Sequence, residues 1–115
     1  MNKISVQLWS VKDATQKDFI GTLEAIAKMG YDGVEFAGYG GIDADTMKKE
    51  LDRMGLVPSG AHVGVDELLN NLDEVISYNK TIGNKYIICD ATYFGATIGM
   101  EQPAVKETQK YIIQL

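Results

Sequence analysis

Three glycines, Gly30, Gly55 and Gly83, set the plan of this 115-residue chain. Each closes a stretch whose apolar residues recur at helical spacing, and each is followed within a few residues by a short run of strand character. A glycine just past the last helical turn enters the left-handed conformation without a Cβ penalty, so it stops a helix cleanly. The three lie 25 and 28 residues apart, close to the roughly 30 residues that one strand–helix–strand unit uses. Alternation of this kind predicts a parallel sheet with right-handed crossovers.

The units can be placed one by one. Ile4, Val6 and Leu8 alternate with Ser5, Gln7 and Trp9, which predicts a strand over residues 4–9. Asp13, Thr15 and Asp18 offer caps for a helix over 16–29, whose apolar stripe is Phe19, Leu23, Ile26 and Ala27. A second strand covers 33–37, and Asp43 or Asp45 opens a helix over 43–54 that turns Met47, Leu51 and Met54 inward. The strand over 57–63 carries Pro58 near its start, where a missing N–H does least harm. Asp66 and Glu67 suit the positive end of a helix over 66–82, with Leu68, Leu69, Leu72, Val75, Ile76 and Ile82 as its apolar residues. Ile87, Ile88 and Cys89 make the strand over 86–90 apolar on both faces. A loop with Tyr93 and Phe94 follows, and Pro103 opens a helix over 103–115 along Val105, Thr108, Ile112 and Leu115.

The fold class is therefore α/β, one domain over residues 1–115 built from about four strand–helix units. A complete (β/α)8 barrel needs about 250 residues, so a barrel reading makes this chain a half. Open flavodoxin-like or Rossmann-like sheets share the same periodicity. The first strand-to-helix turn, Trp9-Ser10-Val11-Lys12-Asp13, lacks the glycine-rich phosphate fingerprint and speaks against nucleotide binding.

Charge and cysteine usage narrow the partners. Sixteen acidic against 11 basic side chains give a net charge of -5, the wrong sign for broad contact with a nucleic-acid backbone. Cys89 is the single cysteine, so no internal disulfide forms, and a reducing, cytoplasmic setting is expected. Residues 1–9 alternate instead of forming a secretory core, and no apolar run reaches the roughly 18 residues of a membrane span.

In parallel α/β folds, ligands gather at the C-terminal ends of strands. The polar candidates there are Gln7, Trp9, Glu35, Tyr39, His62 and Asp90. Glu35 interrupts the apolar run of its strand, and a carboxylate in such a place is paired or bound to something. A structural ion pair and a substrate contact both satisfy that requirement. His62 is the only histidine, which excludes an internal His–His metal pair. Its imidazole suits proton transfer near neutral pH or a hydrogen bond to a sugar hydroxyl, and equally a structural turn contact. Trp9 offers a flat apolar platform for a sugar ring, or simple rim packing. Asp90 is placed to orient a hydroxyl, a metal or the His62 ring, or else to close a turn. Cys89 reads as a buried small hydrophobe.

These residues also carry a resemblance. Ser5-Val6-Gln7-Leu8-Trp9-Ser10-Val11, Asp18-Phe19-Ile20-Gly21-Thr22-Leu23 and Gly33-Val34-Glu35-Phe36-Ala37-Gly38 resemble the opening of the sugar phosphate isomerase/epimerase family. The likeness continues through Gly60-Ala61-His62-Val63-Gly64 and Ile82-Gly83-Asn84-Lys85-Tyr86-Ile87, covering residues 4–95 in outline. It implies the N-terminal half of a xylose-isomerase-like TIM barrel, in the superfamily that also holds endonuclease IV-type repair enzymes. The family binds a divalent Zn, Mn or Mg ion at the barrel mouth and moves a proton beside a sugar carbonyl while the metal steadies the enediolate. Its ligand set of two Glu, one Asp and one His comes mainly from strands five to eight, and nothing in this chain matches those positions. The resemblance thus implies Glu35 and His62 as catalytic candidates and Trp9, Gln7, Tyr39 and Asp90 as substrate contacts. It implies no metal or other cofactor held by this chain alone.

Two other readings accompany the isomerase/epimerase expectation. One is a non-catalytic truncated half-barrel whose main property is self-association. The other is a different metal-dependent barrel enzyme such as an abasic-site endonuclease, against which the acidic charge and lone histidine count. A parallel half-barrel has two open edges and an apolar face. Leu115, on the apolar stripe of the last predicted helix, gives an end expected to be either interrupted or completed by another chain. The expected partners are a second copy, with the first strand of each chain pairing the fourth of the other, and a small sugar-like ligand. Stacking of two flatter sheets is the alternative assembly, and neither nucleic acid nor membrane is expected as a partner.

Overall fold

The computed structural model describes residues 3–90 and 110–115. Four strands alternate with helices: β1 (Ser5–Gln7), α1 (Lys12–Lys17), α2 (Phe19–Lys28), β2 (Gly33–Ala37), α3 (Ala44–Met54), β3 (Val57–His62), α4 (Val65–Asn70), α5 (Leu72–Ile82) and β4 (Tyr86–Asp90). A fifth strand, β5, spans Lys110–Gln114. The sheet order is β1-β2-β3-β4-β5. The first four strands are parallel neighbours, and β5 runs antiparallel to β4. The parallel part is an α/β arrangement consistent with the N-terminal half of a (β/α)8 barrel. Among the described residues no helix is long and apolar enough to cross a membrane.

Local chemistry explains where the helices begin and end. Asp18 accepts a hydrogen bond from the Gly21 N–H at 2.9 Å and caps α2. Asp43 accepts from the Thr46 N–H at 2.7 Å and caps α3; each cap satisfies a donor with no partner inside its helix. Gly55 and Gly83 follow α3 and α5 at φ +72° and +81°, a conformation that a side chain would strain. The core lies between sheet and helices: Val34, Phe36, Ala61 and Ile87 from the strands meet Leu23, Met47, Leu51 and Ile82.

Several elements differ from the sequence expectation. The regular ladder of the first strand stops at Gln7, and Leu8–Val11 winds into a 3-10 turn that carries Trp9. The stretch expected as one helix over 16–29 is two, because Asp18 turns extended (φ -156°, ψ 95°) to cap the second. The 66–82 helix is likewise broken at Asn71. The largest correction concerns 103–115: residues 110–114 form a strand, and the earlier part lies outside the described residues. Tyr111, Ile112 and Ile113 are aromatic and β-branched, types that favour strands. The open edge of β4 also offers unpaired backbone groups that a strand satisfies and a helix does not. Since β5 occupies that edge, pairing of β1 with the fourth strand of a second copy is excluded in this arrangement.

Candidate functional site

The sheet has two faces, and β2 shows which is which. Val34 and Phe36 are fully buried beneath the helices, so Gly33, Glu35 and Ala37 lie on the opposite face, the one that lines a barrel. Register carries the division to β1: Ser5 stands beside Gly33, and Gln7 beside Glu35.

β3 reaches the same alignment through an irregularity. Val34 pairs with Pro58, but Glu35 pairs with Gly60, leaving Ser59 as the extra residue of a bulge. One extra residue reverses the parity of everything after it. Were Ser59 instead paired in a regular ladder, His62 would point toward the helices. With the bulge, His62 stands between Ala37 and Ile88, on the face that holds Glu35. Pro58 fits beside the bulge because it has no N–H to give to the ladder.

Three polar residues thereby share the barrel-lining face near the C-terminal ends of β1, β2 and β3: Gln7, Glu35 and His62. The Gln7 side-chain amide donates to Glu35 Oε1 at 3.2 Å. Glu35 is half-buried and makes no ion pair among the described residues, so a neutral amide holds one of its oxygens. Gly60 lies beside it: a Cβ there would come 3.2 Å from Ile88 Cδ1 and 3.7 Å from Glu35 Cγ. The missing side chain lets Ile88 and the stem of Glu35 close over the strand. Strand spacing and rise put the Cα atoms of Glu35 and His62 about 8 Å apart, so their side chains can approach one small molecule from two sides.

Trp9 follows Gln7 by two residues, in the turn leaving β1, and is 61% exposed. The Lys12 ammonium lies over its ring, 4.4 Å from the centroid, a cation–π contact of about 0.5–1 kcal/mol at an exposed position. Asp90 ends β4 with its backbone opposite Lys110.

Tyr39 goes elsewhere. Its hydroxyl donates to Asn79 Oδ1 at 3.3 Å and accepts from Asn79 Nδ2 at 3.0 Å, on α5. Its ring packs against Tyr78 with centroids 4.1 Å apart. Burial raises its pKa above the ordinary tyrosine value, and the Asn79 bond offsets this only in part. Tyr78 donates to the Ile42 carbonyl at 2.7 Å and is raised further, first by burial and then by Tyr39 and Asp43. Asn79 is fully buried and also donates to the Val75 carbonyl at 2.8 Å, while Asn84 donates to Asn79 Oδ1 at 2.9 Å. This network ties the loop after β2 to α5 and the start of β4, on the side away from Glu35. Neither Asn79 nor Asn84 is among the residues expected at a site; the signal the sequence offers is an asparagine near the apolar stripe of a helix and another just after its terminal glycine.

Among the described residues, no group of three or more His, Cys, Asp or Glu side chains is placed to hold a metal ion. The donor set described here does not fit a self-contained metal centre.

Comparison with solved structures bears on the fold. The chain superposes on the crystal structure of an AP endonuclease, family 2, from Brucella melitensis, with a TM-score of 0.58 and 20% identity. The match covers 74% of this chain and 39% of that one. The likeness supports a TIM-barrel fold. At this identity it speaks for the fold alone, and the chain spans well under half the length of that endonuclease. No family model matches the chain. No curated protein matches it by sequence.

Proposed function

We propose that this chain carries the substrate-side half of a barrel enzyme acting on a sugar or keto sugar, with Glu35 and His62 as the proton-handling pair. The observation that supports this reading is the shared face: a half-buried carboxylate held by Gln7, and the only imidazole in the chain, at the strand ends where such folds bind ligands. Glu35 is the group to take a proton from carbon beside a carbonyl or to accept a bond from a hydroxyl. His62 gives a proton to the neighbouring oxygen or removes one. Gln7 fixes the direction of the carboxylate, and the exposed Trp9 ring offers its face to the C–H side of a sugar. Each of these roles is one that side chains of this chain perform themselves.

A second reading has its own support. The structural relative is named an AP endonuclease, and the deoxyribose of an abasic site is also a hydroxylated sugar that these side chains can meet. The net charge of -5 weighs toward a free sugar, because a DNA backbone calls for a basic surface. Titration calorimetry separates the two. The proposal expects saturable binding of a ketose, such as fructose or xylulose, that Glu35→Gln abolishes. Binding of a duplex with an abasic site and of no free sugar would replace it with the second reading, and binding of neither would overturn both.

The same reading keeps a second copy as partner. Val57 and Tyr86, on the barrel-lining face, are 53% and 41% exposed, and apolar residues on an open sheet face favour association. With the β4 edge already paired, stacked faces suit this sheet better than a closed ring.

A further inference from the structure

We draw no further inference here: the strongest candidate, the apolar groove of about 530 Å³ between β1 and helices α1 and α2, lined by Val6, Val11, Ala14, Ala25, Ile26 and Met29, lies on an open flank of the sheet, and nothing in the structure shows what covers it.

Discussion

Glu35 and Phe36 are neighbours in β2 with opposite duties. Phe36 is fully buried against Phe19 and Tyr39, with ring centroids 6.4 and 5.6 Å away. Phe36→Ala should lower stability by about 3–5 kcal/mol, the usual cost of emptying an aromatic site; a urea melt checks this, and a loss below about 1 kcal/mol would contradict the packing described. Asp43 supplies a pH test. Its hydrogen bonds to the Thr46 N–H and hydroxyl hold its pKa below the ordinary carboxylate value. A depressed pKa contributes stability that is fully present above the unfolded-state value and is lost as pH falls through the folded one. Asp43→Asn keeps an acceptor for the cap but cannot titrate. Thermal melts in acid should therefore show a shallower loss of stability for the variant than for the native chain. At this scale Glu35 was legible as a carboxylate interrupting an apolar run. The buried Asn79–Asn84–Tyr39 network was not, because its three members become neighbours only after α5 packs on the loop after β2.

Among the elements, β3 decides how the site is assembled. Period-two reading places a residue at a strand end without saying which face it takes, and Ser59 is the residue that sets the face for His62. Pro58 followed by Ser59 and Gly60 was a sign of irregularity; a strict alternation ignores it. Deleting Ser59 should return β3 to regular register while leaving Gly60, Ala61 and His62 opposite their present partners, with His62 still on the face that holds Glu35. Such a variant should melt near the native chain, and a melt far below it would contradict the bulge. In the native chain, an NMR cross-peak between the Gly60 α-protons and the Ile88 δ-methyl is expected from their closeness. Its absence would remove the bulge from the account. Helix breaks escaped the sequence reading for a related reason: Asp18 serves as a polar residue within a helix or as the cap of a new one, and apolar spacing is the same either way. For Lys110–Gln114 the deciding factor was the β4 edge, a tertiary demand that helical spacing of Ile112 and Leu115 does not register.

For the whole molecule, the repeated glycine stops made a parallel strand–helix succession readable, and the structure adds an antiparallel strand at one margin. That addition changes the assembly, since it leaves β1 as the open margin of the parallel strands among the described residues. Light scattering on the full chain at micromolar concentration should report a dimer, and a monodisperse monomer would contradict self-association through the barrel-lining face. The functional reading rests on Gln7, Glu35 and His62 sharing that face. Because His62 is the only histidine, its imidazole resonances report on the site without ambiguity. They should shift and saturate as a ketose is added to the native chain and stay still in Glu35→Gln; imidazole signals that do not respond to the sugar in the native chain would contradict the account.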